Sequence, residues 1–183
     1  MGYEVAIGKA WSALEDISKK KKHAVRLLRD EYTIEVEERR ILSLSCNVSA
    51  KDSLSILILH YLAHSLKGLP HARNEWISFQ QLDGGKGYYP TFKERVLKPI
   101  LRKYKSKPEA LLELTSRFKA KRVQFADIAL VFDVFDSVPF IIEMWRGDDE
   151  FGPEANMLFD KSITDIFCTE DIVVLSEFVV HQI

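Results

Sequence analysis

The most constraining feature of the sequence is a pair of alternating apolar runs on either side of Asp136-Ser137. Apolar residues occupy every second position before and after this dipeptide: Ile128, Leu130, Phe132 and Val134, then Val138, Phe140, Ile142 and Met144. Two runs with a two-residue period beside a short polar turn predict a β-hairpin. Val131 and Ile141 are apolar on the opposite face, so we expect both faces to be covered and the hairpin to lie centrally in its sheet.

The remaining pattern predicts a single α+β domain over residues 1–183, with a mainly antiparallel sheet of five to six strands and four to five packed helices. The strand period predicts a three-stranded meander over 25–44, a short strand over 75–79 and an edge strand over 157–159. Helical spacing and cap signals predict helices over 5–18, from Ser49 through 66, from Pro90, over 106–118 and from Thr169, with a kink at Pro99. The segment 54–66 is apolar all round, which is typical of a core helix.

Composition excludes several classes of protein. Lys plus Arg total 26 and Asp plus Glu 27, a net charge of -1, so nothing favours a nucleic-acid binder or a polybasic membrane anchor. The two cysteines, Cys46 and Cys168, are isolated from each other in the sequence, which is typical of free thiols in a protein from a reducing compartment. The longest apolar stretch falls short of the roughly 20 residues that a membrane span requires. We therefore expect a cytoplasmic protein without membrane or nucleic-acid partners.

Histidines on the core helix are the first candidate chemistry. His60 and His64 lie four residues apart, hence on one helix face, and His71 follows downstream. A metal or haem site can be drawn from them, but no Glu stands in a His-Glu-x-x-His pattern. Structural histidines at the rim of a core helix are the favoured interpretation, and the sequence predicts no metal site and identifies no cofactor.

A glycine-rich segment is the second candidate. Gly84, Gly85 and Gly87 surround Lys86 just before a predicted helix. Glycines allow backbone amides to approach an anion, and a helix N-terminus attracts negative charge. These four residues are therefore candidate anion ligands, although no Walker spacing is present and a plain turn is the more common explanation.

The third candidate is the loop that follows the hairpin. Trp145 and Arg146 precede the carboxylates of Asp148 and Glu150. A cation beside an aromatic ring and carboxylates at a strand end could form the rim of a ligand site, and two such carboxyl groups could act as acid and base. A solvated acidic loop held by Arg146 is the alternative. Asp160 could be a turn cap or a member of the same cluster.

Several short segments, taken in order, resemble a domain-of-unknown-function family found mainly in anaerobic bacteria and archaea. They are Leu57 to Leu62, Glu75 to Phe79, Tyr88-Tyr89-Pro90, Trp145 to Asp148 with Glu150-Phe151, and Leu158-Phe159-Asp160. The resemblance spans residues 24–183 and leaves the N-terminal helix, residues 1–22, outside it. It implies no established activity. In some members of the family the domain is joined to an iron–sulfur module. This chain lacks the cysteines of such a module, so a link to redox or corrinoid metabolism rests on analogy with the family alone.

The resemblance and the residues together lead to one hypothesis. We expect a non-catalytic protein that binds a small ligand or cofactor between the 75–90 and 145–160 segments. The candidate ligand-binding residues are Trp76, Tyr88, Trp145, Arg146, Asp148, Glu150 and Asp160. The indoles would supply stacking area and Arg146 a fixed cation. The alternatives are an acid–base enzyme that uses a carboxylate of the 148–160 segment with His60, and a module that binds a partner such as a redox protein. The oligomeric state is not predicted.

Overall fold

One antiparallel sheet forms the frame of the molecule. The computed structural model describes residues 2–183, and its strands are β1 (Lys22–Leu27), β2 (Asp30–Glu35), β3 (Arg40–Ser43), β4 (Trp76–Ser78), β5 (Lys121–Val123), β6 (Ile128–Phe135), β7 (Val138–Trp145) and β8 (Glu154–Asp160). Their order is β3-β2-β1-β6-β7-β8-β4, and β5 also pairs with β6. The antiparallel α+β prediction is confirmed. The predicted five to six strands were too few, because the sheet has eight strands and the three-residue β5 was not predicted.

The hairpin of β6 and β7 lies in the middle of this sheet, as its sequence predicted. Phe132 pairs with Phe140, and a β-bulge follows between Asp133 and Phe135. The predicted edge strand at 157–159 is wrong in position, because β8 runs between β7 and β4 and so has a neighbour on each side. The true edge on this side is the short β4.

The predicted meander is also present, as β1, β2 and β3. It meets the rest of the sheet where Leu27 of β1 pairs with Phe135 of β6. The backbone N–H of Leu28 also donates to the carbonyl of Val134 at 2.7 Å. Further along the same edge of β6, its partner is β5 instead. The edge of β6 is therefore shared between two strands.

The helical segments connect and cover these strands. They are α1 (Gly2–Glu15), α2 (Asp52–Lys67), α3 (Gly85–Phe92), α4 (Lys98–Tyr104), α5 (Leu114–Arg117) and α6 (Thr169–Gln182). The helix predicted from Pro90 begins five residues earlier, at Gly85, so Pro90 lies inside it. Residue 51, not Ser49, is the N-cap of α2. A π-helical turn, Lys93–Leu97, precedes Pro99, the site of the predicted kink. Most of the helix predicted over 106–118 is a 3-10 helix, Pro108–Glu113.

The helices pack on one face of the sheet, which we call the core face and define by Phe132, Phe140 and Phe159. Cross-strand pairing places these three rings side by side. Phe92 of α3 contacts Phe159 at a centroid distance of 6.4 Å, and Phe118, just after α5, lies 6.2 Å from Phe132. The core helix α2 is buried along most of its length, as predicted. Within residues 2–183, no helix has both the length and the apolar character of a membrane span.

Candidate functional site

The glycine segment has a packing role in this fold. Gly84 has a φ of +68°, a left-handed conformation that favours glycine, and it is the N-cap of α3. Gly85 is buried, and a Cβ on it would stand 2.1 Å from the carbonyl oxygen of Phe79. Lys86 and Gly87 are exposed in the first turn of α3. The turn therefore explains Gly84, and the close backbone approach explains Gly85. Anion binding by this glycine segment stays a prediction.

Arg146 is already paired with a carboxylate. Its Nη2 and Nε atoms donate to Oε1 of Glu109 at 2.6 and 3.2 Å, and its backbone N–H donates to Asp127 at 2.8 Å. Hydrogen bonding and charge from Glu109 raise the pKa of Arg146. This pair connects the loop after β7 to the 3-10 helix at 108–113. Both side chains are about half exposed, as is usual for a surface ion pair. A ligand anion would have to compete with Glu109 for this guanidinium.

The acidic loop that follows is organised by one of its own carboxylates. Oδ1 of Asp148 accepts backbone hydrogen bonds from Glu150 at 2.9 Å and from Phe151 at 2.7 Å. These two donors lower the pKa of Asp148. Glu150 itself is exposed. Asp148 thus stabilises the turn of its own loop. Its two hydrogen bonds are those expected of a solvated acidic loop, which was the alternative to a ligand-binding rim.

Asp160 closes a buried hydrogen-bonded clamp. Its carboxylate accepts backbone N–H bonds from Arg73 at 3.0 Å, Asn74 at 2.7 Å and Ser162 at 2.9 Å, with 1% of the residue exposed. Burial alone would raise the pKa of Asp160, but these hydrogen bonds outweigh it and lower the pKa. The clamp fixes the segment before β4 against the end of β8. Because the Asp160 carboxylate already accepts three hydrogen bonds, it has little capacity to accept more from a ligand.

The two predicted tryptophans share the second face of the sheet, opposite the core face. Trp76 pairs with Asp160, and Trp145 stands two residues from Glu143, which pairs with Asn156. Because side chains alternate along a strand, these residues point to the same side. We call this side the indole face. Tyr88 is on the other side, because its helix α3 packs through Phe92 onto the core face.

A buried carboxyl group on the indole face is a residue that sequence analysis missed. Glu143 has 5% of its surface exposed, and its Oε2 accepts a hydrogen bond from the side-chain amide of Asn156 at 3.0 Å. Burial raises the pKa of Glu143. Phe125 extends over this face and contacts Trp76 edge to face at 6.3 Å. A charged residue inside the apolar run of β7 was a signal that could have identified it.

The histidines of α2 make a contact between helices. Nδ1 of His60 lies 2.8 Å from Oδ2 of Asp171 on α6. Burial, Lys67 and His60 lower the pKa of His64. No group of three or more potential ligands is arranged for a metal ion within residues 2–183. The His60–Asp171 contact joins α2 to α6, which is a structural role of the kind expected for a rim histidine.

An open groove lies elsewhere, at the junction of the meander with α6. Its volume is about 910 Å³, and it runs between the 27–30 turn, the β3–α2 connection and the C-terminal half of α6. Leu27 and Phe118 line it and are buried, while Phe178 lines it and is half-buried. Within residues 2–183, none of the predicted site residues lines this groove. No pattern in the sequence indicated this groove.

One end of the groove is built around Asp30. Its carboxylate accepts hydrogen bonds from the hydroxyl of Ser43 at 2.5 Å and from the backbone of Ser45 at 3.3 Å. Burial would raise the pKa of Asp30, but these donors lower it overall. Burial, together with the charge of Asp30, raises the pKa of the neighbouring Tyr32 to about 12. Cys46 donates from its thiol to Ser43 at 3.2 Å and lines the groove as a free cysteine.

Comparison with known proteins gives a family. The model of the family described as "Domain of unknown function (DUF3786)" matches residues 12–182. The chain belongs to this family. The match extends further toward the N-terminus than the expected residue 24 and takes in the last part of α1. It carries no information on source organisms or iron–sulfur modules, so those expectations stay predictions. No curated protein and no solved structure matches the chain.

Proposed function

We propose that this DUF3786 protein binds a small ligand, without catalysis, in the groove between the 27–30 turn, the β3–α2 connection and α6. The observation that carries the proposal is the groove itself, about 910 Å³ in volume, whose lining combines apolar side chains with a cluster of polar groups. Small-molecule sites are concave, mostly apolar, and of about 300–1,000 Å³. A few placed polar groups then orient the ligand. This groove has both properties.

The polar end of the groove is held in place before any ligand arrives. Asp30 fixes the hydroxyl of Ser43 and the backbone of Ser45, and these contacts anchor the connection that carries Cys46. A preformed wall lowers the entropy that a ligand must lose on binding. Because its oxygens already accept hydrogen bonds, Asp30 serves to shape the site. This supports binding in preference to chemistry at the carboxylate.

A groove-filling substitution tests the proposal. Val174 is half-buried on α6 and lines the groove, so Val174→Trp would occupy part of its volume. We expect the neutral apolar dye Nile red to bind the native protein with enhanced fluorescence and to bind Val174→Trp at least about tenfold more weakly. The matched control is Val5→Trp, an exposed position on α1 away from the groove. Equal dye binding by the native protein and Val174→Trp, with the latter still folded, would contradict the proposal.

A second candidate function is acid–base catalysis on the indole face. It rests on one observation, the buried carboxyl group of Glu143, whose pKa burial raises above its ordinary value, as is common for catalytic carboxyl groups. Trp76 and Trp145 on the same face would supply flat walls for a substrate, as proposed for them above from sequence. An activity toward generic chromogenic esters or phosphates that is lost in Glu143→Gln and retained in Glu150→Gln would support it. An activity equal in both variants would exclude Glu143.

A further inference from the structure

Three cations line the groove without a carboxylate partner. Arg29, Lys51 and Arg117 are all exposed lining residues. No Asp or Glu oxygen of residues 2–183 lies within 4.0 Å of their charged nitrogens, whereas eleven other pairs in the chain do meet that distance. Arg117 donates to the backbone carbonyl of Gln182 at 2.9 Å and lies 5.2 Å over the ring of Phe118. Its positive charge is therefore held at the groove wall.

The carboxylates of the groove neutralise these cations only in part. Asp30 accepts hydrogen bonds from Ser43 and Ser45 and keeps its negative charge, whereas Glu177 pairs with Arg95 at 3.2 Å. The three lining cations face two lining carboxylates, so the lining has a formal excess of one positive charge although the whole chain has a net charge of -1. A local excess of one charge in a concave, partly apolar wall concentrates ligands of the opposite charge.

Part of the groove lining is apolar. Leu27, Leu54, Phe118 and Phe178 belong to this part, and so does Val48, which has 59% of its surface exposed. An apolar lining favours a hydrocarbon, because each buried methylene contributes about 0.8 kcal/mol. Cations and apolar side chains in one groove are complementary to one kind of molecule. That molecule carries a negative head and an extended apolar body.

We propose that the groove binds a long-chain carboxylate, with its head among Arg29, Lys51 and Arg117 and its chain along Phe118 and Phe178. This inference rests on the proposed ligand-binding function and names the class of ligand. A volume of about 910 Å³ accommodates one such molecule. A protein partner would instead need a contact of about 800 Å² on each side, which is typical of broader and flatter surfaces.

The two free cysteines provide an internal control for the experiment. Cys46 lines the groove, and Cys168 stands outside it at the start of α6; both are exposed. Maleimide labelling of each thiol, followed by peptide mass spectrometry, is measured with increasing dodecanoate at concentrations where it is monomeric. We expect dodecanoate to slow labelling of Cys46 and to leave Cys168 unchanged. Dodecanol, which has the same chain without the charge, should protect Cys46 at least about tenfold less effectively.

Charge-removing variants then locate the head group. Arg29→Gln combined with Lys51→Gln should weaken dodecanoate binding at least about fivefold and leave Nile red binding unchanged. The control is Lys105→Gln, an exposed cation outside the groove lining. Equal protection by dodecanol and dodecanoate, or an unchanged dodecanoate affinity in the double variant, would overturn the inference while ligand binding itself stands.

Two other outcomes are also decisive. Protection by vesicles of phosphatidylglycerol, without protection by monomeric dodecanoate, would mean that the groove rests on an anionic membrane surface, and it would overturn the inference. Failure of Nile red to bind the native protein, together with no protection by either amphiphile, would overturn the proposed function and the ligand class together. Failure of dodecanoate alone, with Nile red bound, refutes only the ligand class.

Discussion

The clamp around Asp160 gives the sharpest prediction about stability. Three backbone N–H groups, from Arg73, Asn74 and Ser162, converge on this buried carboxylate at 2.7 to 3.0 Å. Hydrogen bonds to a charged acceptor contribute about 1.5–3 kcal/mol each. Asp160→Asn replaces one acceptor oxygen by an NH₂ group, which must face at least one of these donors. We therefore expect the variant to lose about 2–4 kcal/mol of unfolding free energy.

Urea unfolding at pH 7, followed by tryptophan fluorescence, measures this loss. Trp76 pairs directly with Asp160 in the sheet and reports on the same region. The matched control is Asp165→Asn, because Asp165 is an exposed carboxylate that contacts the guanidinium of Arg73 nearby. We expect no measurable change in that control. A loss below about 0.5 kcal/mol in Asp160→Asn would refute the argument that the three amides depend on the charge.

The pH dependence supplies a second check on the same clamp. The pKa of Asp160 is lowered in the folded protein, so its stabilising effect is fully present above the unfolded pKa of about 3.9. The effect is lost as the pH falls through the lower folded pKa. The stability difference between the native protein and Asp160→Asn should therefore be constant from pH 7 to about pH 5 and shrink below pH 4. A difference that grows on acidification would contradict this assignment.

Two further outcomes are expected from the same unfolding assay. Gly85→Ala should destabilise the protein by about 1–3 kcal/mol, because the new Cβ meets the Phe79 carbonyl oxygen at 2.1 Å. The control is Gly87→Ala in the same helix, which has open space around it and should be neutral or slightly stabilising. Equal effects of the two substitutions would show that the close approach does not matter. Glu143→Gln should stabilise the protein at pH 7 by on the order of 1 kcal/mol, since burial raises the pKa of this carboxyl group in the folded protein. The gain in stability should disappear by about pH 4, where the carboxyl group is mostly protonated in both the folded and the unfolded protein. A gain that persists at about pH 4 would have another cause.

Much of the sheet could be predicted because its signal is local. The β6–β7 hairpin and the three-strand meander each carry their own alternation, so neighbouring residues specify both the strand and its partner. The start of α3 could not be predicted in this way. Gly85 is a poor helix former, and it is helical where a contact with Phe79, outside the helix, leaves space only for glycine. Pro90 was the stronger local signal and predicted the wrong start.

The candidate site depended on contacts that no local pattern reveals. Residues near 30, 46, 117 and 178 meet in the groove, and their convergence follows from where the meander, α5 and α6 pack. Trp76 was expected on a short strand and Trp145 at a strand end, but their common face follows from the registers of β4, β7 and β8. Arg146 was expected to be a fixed cation for a ligand or to hold the acidic loop, and its pairing with Glu109 was not expected, because an approach from 37 positions away leaves no trace in the sequence.

The narrow join between the meander and the rest of the sheet has a mechanical consequence. Strands normally resist relative rotation through a ladder of paired residues, whereas here Leu27 and Phe135 pair at a single rung. The same Leu27, with Leu28, forms part of the groove wall. A twist about this seam would swing the 28–30 turn toward or away from α6 and so widen or narrow the cleft. Within residues 2–183, the seam with a single paired rung thus borders the groove that we propose as a ligand site.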